Sequence, residues 1–317
     1  MSDAASSDAT LAGARPATRL FLSVALLAIG IVWGGTVTLA QVAVSSGTSP
    51  VAMTVWELCY ATVLLGSVCL LTRRALPLGR RWLSIYAGIA VFGTVLPNLF
   101  SYWAAFHLPG GVIALVLSVI PMMTLALAVV LGTDTFTPGK LAGLLLGCAG
   151  VALLALPDLV LGEGVLPDPA VAVFLLVALV PTLCYAVEAN LVSATVPESA
   201  DPLAVLLGSF VVGLAIAAPA ALASGRWSAD AAPWNLPHWE RAEWALMGLT
   251  LGHVLAYCGY LWVLSRAGPV FSSQVSYVVT AAGVVLSILF LGEESSLWLW
   301  AAFALLMAGV ALVRPRA

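Results

Sequence analysis

Gly110-Gly111-Val112-Ile113-Ala114-Leu115-Val116-Leu117-Ser118-Val119-Ile120-Pro121-Met122-Met123-Thr124-Leu125-Ala126-Leu127-Ala128-Val129-Val130-Leu131 runs without a charged side chain. A bilayer core roughly 30 Å thick is crossed by about 20 apolar residues wound as a helix. This stretch fits that length, with Pro109 before it and Gly132 after it as punctuation. Similar runs continue in both directions. Spans are expected at 20–42, 51–71, 82–106, 110–131, 138–156, 170–195, 202–223, 243–265, 269–291 and 296–313. Of the 317 residues, 62% are hydrophobic and only 9% charged, with mean hydropathy +1.08. A soluble domain is about 45–50% apolar and about 25% charged, so this chain lacks the polar residues to coat a water-soluble fold. Net charge is −3 and there is no basic block, which argues against disorder, coiled coil and nucleic-acid binding. The bilayer itself is the expected partner.

The expected fold is an all-α polytopic membrane protein with ten transmembrane helices. Orientation follows from the basic residues. With the N-terminus in the cytoplasm, Arg15, Arg19, Arg73, Arg74, Arg80, Arg81, Lys140, Arg266, Arg314 and Arg316 fall inside, and only Arg226 and Arg241 outside. This asymmetry is what the positive-inside rule asks for. An even span number also returns the C-terminus to the cytoplasm. The polar residues 1–19 do not read as a cleavable signal, because the apolar run after them exceeds the usual signal core. The link at 224–242 holds Trp227, Trp234 and Trp239, with Trp244 just beyond, and is expected to lie along the membrane surface.

The acidic segment at 157–169 divides the spans into two sets of five, at 20–156 and 170–313, with tails at 1–19 and 314–317. At a constant offset of 160, Gly88 meets Gly248, Pro109 meets Pro269 and Gly132 meets Gly292. Five is odd, so the second set enters the membrane with the opposite polarity. Inverted repeats are a transporter architecture, with the substrate near the midplane between halves that rock about it.

The motifs carry a family resemblance. Trp33-Gly34-Gly35-Thr36 resembles a Trp-Gly-Ser/Thr segment. Ser101-Tyr102-Trp103-Ala104-Ala105-Phe106 leads to Pro109-Gly110-Gly111-Val112-Ile113-Ala114-Leu115. Ser118 to Pro121 runs on to Leu131-Gly132, and Leu291-Gly292-Glu293 repeats that ending. In order, spacing and duplication these resemble the drug/metabolite transporter superfamily, specifically its ten-helix EamA-type exporters, over residues 20–313. The resemblance implies transport of small organic metabolites, often amino acids or related compounds, and often outward. The chain departs from that pattern in three places. Trp56-Glu57-Leu58-Cys59-Tyr60 puts a carboxylate where the family usually has Arg. Thr133 then Asp134 replaces a Glu, and Ala281 beside Thr280 stands opposite Pro121. Substrate and coupling ion stay open.

Polar stripes at helical spacing mark faces that avoid lipid. Cavity candidates are Trp33 and Thr36 on the first span, with Gln41 further round, and Asn98, Ser101 and Tyr102 on the third. Tyr185 lies on the sixth, His253, Tyr257 and Tyr260 on the eighth, and Ser273, Ser276, Tyr277 and Thr280 on the ninth. Such residues also serve as ties between helices. Pro121 is either a hinge that offers carbonyls to substrate or a fixed packing kink.

Glu57, Glu188 and His253 are ionisable and sit within spans, where charge is costly. They are the proton-coupling candidates, or a counter-charge for a substrate amine. Glu57 lies less than two turns from its helix end and has the alternative of reaching water there. His253 has the alternative of bonding a backbone carbonyl.

Cys59, Cys69, Cys148, Cys184 and Cys258 lack metal-ligand spacing and read as small buried hydrophobes, so no metal or cofactor is expected. Gly143 and Gly147, with Gly150 one turn on, mark close helix contact, within the chain or in a homodimer. No phosphate loop or nucleophile set appears, so an enzyme is not expected. The expected function is a secondary transporter of a small organic metabolite, working by alternating access. Alternatives are an importer or exchanger of a nucleotide-, vitamin- or sugar-like solute, a membrane enzyme using Glu57, Glu188 and His253, and a non-transporting assembly or sensor protein. One Lys against eleven Arg, with abundant Ala and Gly, points to a GC-rich bacterial source and hence the inner membrane.

Overall fold

The computed structural model describes residues 16–132, 137–139, 141–143, 145–147, 149–150, 153, 171–197, 199–272, 275–294 and 296–312. Residues 1–15 of the expected N-terminal tail, the linker at 157–169, Lys140, Arg314, Arg316, Thr133-Asp134, Cys148 and Ser273 lie outside the described residues, while residues 16–19 already belong to the first helix. So do the side chains of Arg266 and Tyr277.

The described helices are α1 Pro16–Val44, α2 Pro50–Leu71, α3 Arg80–Ala105, α4 Gly110–Val130, α5 Val171–Thr195, α6 Pro202–Ala223, α7 Arg241–Ser272, α8 Val275–Leu291 and α9 Leu297–Leu312. Helical residues at 138–139, 141–143, 145–147, 149–150 and 153 fall where the fifth span is expected. Among the described residues there is no strand, and six helices, α1 to α6, are long and apolar enough to cross a membrane. Leu27, Ile31, Val63, Leu176, Leu255 and Leu289 are all exposed. Such an outer surface is stable in lipid and not in water. The chain is a multi-pass helical membrane protein.

Local chemistry sets the helix ends and interruptions. Ser49 caps α2, accepting from the Ala52 amide at 3.2 Å, with Pro50 at the first turn. Asp201 caps α6 in the same way, accepting from Leu203 at 3.0 Å. Pro97 has no N–H to give the turn before it. There α3 widens into a π-helical turn at Ala90–Val95, and the Leu96 amide reaches back to Val91. Pro121 has the opposite effect on α4. The preceding turn tightens, with Ser118 bonding Leu115 and Val119 bonding Val116, each at 3.1 Å.

The two halves exchange helices reciprocally. Helix α1 packs on α7 and α8 of the second half, while α5 packs on α3 and α4 of the first; α2 pairs with α6. The third and fourth helices of each half thus embrace the first helix of the other, the arrangement of a two-fold repeat. Gly132 and Gly292, matched by the offset of 160, end their helices with φ of +72° and +67°. Gly30 and Gly34 bring α1 against α8, and a Cβ on Gly34 would lie 2.7 Å from Ala282 Cβ. Gly147 and Gly150 face Met122 and Leu306, and Gly309 approaches the Gly143 carbonyl. The small-residue stripe of the fifth span is therefore used within the chain.

One expectation is corrected. The break at Gly268–Pro269 is absent, because α7 continues through it to Ser272, whereas Pro109 stands outside α4 as its N-cap. The offset that aligns the glycines therefore does not align these prolines in conformation. A helix carries an interior Pro where neighbouring groups satisfy the freed carbonyl, and sequence position alone does not decide between that and a break.

The tryptophan-rich link packs back onto the helices. Trp239 is buried and donates to the Ala232 carbonyl at 3.1 Å, and Trp227 packs on Trp56 with centroids 5.0 Å apart. Trp56 donates to Ser228 O at 2.8 Å, Tyr60 donates to Ala231 O, and Ser49 donates to Arg226 O at 2.8 Å. The link is a strap hydrogen-bonded over the end of α2. Its unpaired carbonyls find donors there that lipid cannot supply. Trp244 is exposed.

Candidate functional site

A polar network draws on α1, α2, α3 and α7. Glu57 is 5% exposed, so the alternative of a carboxylate reaching water at its helix end is corrected. One oxygen, Oε2, accepts from Asn98 Nδ2 and from the Tyr102 hydroxyl, each at 2.6 Å. The other, Oε1, meets His253 Nδ1 at 2.6 Å. His253 Nε2 lies 3.0 Å from Thr36 Oγ1, and the Thr36 hydroxyl donates to the Trp33 carbonyl at 2.6 Å. Trp33, Thr36, Glu57, Asn98, Tyr102 and His253 stand out in the sequence on four separate helices. The fold assembles them into one chain of bonds across both halves.

The hydrogen inventory constrains the protons. The single hydroxyl hydrogen of Thr36 is spent on Trp33, so its oxygen accepts and His253 Nε2 donates. Nδ1 and Oε1 then need one proton between them. It resides either on the imidazole, as carboxylate against imidazolium, or on the carboxyl. Both arrangements are net neutral, which suits a low-dielectric site. Three donors on an acceptor-only carboxylate fit the first arrangement.

A second carboxylate is built differently. Glu188 on α5 is half-buried and has no hydrogen-bond or ion-pair partner among the described residues. It lies against Gly93 in the π-helical turn of α3, where a Cβ would collide with the carboxylate. Its electrostatic neighbours are the hydroxyls of Tyr185, Tyr257 and Tyr260. Tyr185 lies within electrostatic reach of both acids. Asn190 turns away, donating to Thr124 O at 3.2 Å and Ala186 O at 2.9 Å. Trp33 packs edge-on against Tyr257 and Tyr260, with centroids 6.0 Å from each, and those two rings are 6.4 Å apart.

Other candidates lie apart from this cluster. Thr280 is buried and Ser276 half-buried on α8, and no described hydrogen bond joins Thr280 to the Glu57 network. Pro121 is half-buried in the second half of α4. Gln41 donates to Leu108 O at 2.6 Å, a structural tie between α1 and the start of α4.

One residue with a defined role was recognised in sequence only as part of a motif. Glu293, just beyond α8, accepts from the Gly110 and Gly111 amides at 2.5 and 3.0 Å. It closes the N-terminus of α4, where unpaired amides favour an anion. The signal was the Leu-Gly-Glu ending together with the Pro-Gly-Gly start, but nothing in either segment alone says that they meet. Among the described residues, no group of three or more His, Cys, Asp or Glu is placed to hold a metal ion.

These features define a class, a two-repeat helical membrane protein with a polar, ionisable interior shared between the halves. The EamA-like transporter family model matches residues 20–156 and again 172–314, and the chain belongs to that family. Membership places it among membrane transporters of small solutes and points to transport rather than catalysis. A solved structure titled only "Crystal structure of protein" is similar in fold, with TM-score 0.58 at 18% identity, covering 90% of this chain and 98% of that one. No curated protein matches.

Proposed function

We propose that the protein is a secondary transporter that moves a small organic metabolite, an amino acid or a related compound, outward across the bacterial inner membrane by alternating access. The two halves, inverted with respect to one another, rock about the polar interior. Glu57 and His253 carry the coupling proton. The observation that supports this reading best is the neutral, proton-sharing Glu57–His253 contact, which joins α2 of one half to α7 of the other. Rocking the halves apart separates the pair and leaves their one shared proton on Glu57, with His253 neutral. Glu57 then gives that proton to water on the side to which it opens, and the bare carboxylate opposes closure in a low-dielectric site until a proton is regained. One proton is thereby released and regained in each conformational cycle.

The test uses inside-out vesicles with and without the full-length protein, loaded with a bacterial metabolite extract under an imposed pH gradient. Wild-type vesicles are expected to change their content of at least one small metabolite only while the gradient lasts. Glu57→Gln and His253→Ala vesicles are expected to lose that dependence. Identical metabolite profiles with and without the protein would overturn the transporter reading. Unaltered gradient dependence in both variants would overturn the coupling role.

A further inference from the structure

The interior holds one acid that has a counter-charge and one that has none. Glu57 is neutralised by His253. Glu188 has no cationic partner among the described residues. An uncompensated carboxylate inside a membrane protein is expensive and is by default a functional group. Around it stand the hydroxyls of Tyr185, Tyr257 and Tyr260, and Tyr257 and Tyr260 share a cluster with the Trp33 indole. Aromatic faces attract cations through their quadrupole, Trp most strongly. A single carboxylate within electrostatic reach of an aromatic cluster suits an organic cation better than a metal ion, which wants several oxygen ligands.

We propose that Glu188, with Trp33, Tyr257 and Tyr260, binds a solute through a protonated amine attached to an apolar or aromatic body, and that the site discriminates against solutes bearing a free carboxylate. This rests on the transporter reading and narrows its substrate class from amino acids to amines. The narrowing follows from what the interior lacks among the described residues. The carboxylate of an amino acid would need a donor cation or free amides. His253 is committed to Glu57, and the amides that open α4 are filled by Glu293. Gly93 matters to the geometry, since only a residue without a side chain lets Glu188 lie flat against the π-helical turn.

A matched set of probes tests this on the full-length protein in lipid nanodiscs. 2-Phenylethylamine is phenylalanine without its carboxylate, and 2-phenylethanol replaces the ammonium by a hydroxyl. Calorimetric titration is expected to show 2-phenylethylamine binding about tenfold or more tightly than either analogue. Glu188→Gln and Trp33→Leu are each expected to weaken it by a similar factor. Equal or tighter binding of phenylalanine by the wild type would overturn the proposal, and so would no detectable 2-phenylethylamine binding. Unchanged affinity in Glu188→Gln would overturn it too. The probe comparison on the wild type needs no variant to fold. If binding fails while vesicles still exchange metabolites, the transporter reading survives without the amine site; if vesicles exchange nothing, that reading falls whatever binds.

Discussion

Glu57 and Glu188 are both carboxylates within apolar helices of one small protein, yet their surroundings differ in every respect. Glu57 is buried and takes bonds from Asn98, Tyr102 and His253. Glu188 is half-buried and takes none among the described residues. The first is a satisfied group whose loss leaves several buried partners stranded. The second is an unsatisfied group whose loss removes a cost. Burial alone therefore does not mark a ligand site in such a protein; unmet valence does.

Stability measurements should separate the two acids most sharply. Glu57→Ala leaves His253, Asn98 and Tyr102 without their partner, and breaking a buried pair in this way costs about 3–5 kcal/mol. Unfolding in mixed micelles is expected to show that loss for Glu57→Ala. Glu188→Ala is expected to stay within about 1 kcal/mol of wild type or to exceed it. A loss in Glu188→Ala as large as that in Glu57→Ala would erase the distinction.

Glu293→Ala probes a third acid, structural like Glu57 but at a helix end. It exposes the Gly110 and Gly111 amides, and a cost of about 1–3 kcal/mol in the same assay is expected. Thr36→Val removes the hydroxyl that fixes the His253 proton. A smaller loss of about 1 kcal/mol is expected, together with a weakened gradient dependence in vesicles. An intact dependence would show that Thr36 does not set the tautomer.

The gentlest probe is Gly93→Ala. Its added carbon meets only the far end of the flexible Glu188 side chain. Stability is expected to change by less than about 1 kcal/mol, while 2-phenylethylamine affinity falls because the carboxylate is pushed aside. Unchanged affinity would mean that the contact with the π-helical turn does not position Glu188.

Much of the site was legible as a set of parts. Thr36, Glu57, Asn98, Tyr102 and His253 stand out because polar side chains are scarce in apolar helices. Their partnership was not legible, since His253 and Glu57 are separated by 196 positions. Three-residue spacing locates a face but not what the face meets. Glu57 near a helix end allowed access to water, and only the packing of α2 against α1, α3 and α7 buried it. The ties of the strap to Trp56 and Tyr60 were likewise not legible, because Trp suits both an interface and a packed core.

Hydropathy is a local property. A bilayer asks each segment only whether it is apolar enough and long enough, so the sequence by itself determined a helical membrane protein and its division into two related halves. Glycines at the ends of α4 and α8 announced the repeat for the same reason, since a left-handed residue is a local requirement. Pairing is not local. Which acid is neutralised, which amides Glu293 fills, and whether a proline ends a helix or is carried inside it depend on neighbours brought by other segments. The tertiary structure decided that Glu57 is paired and Glu188 is open, because α7 brings His253 to the first acid and no described cation to the second.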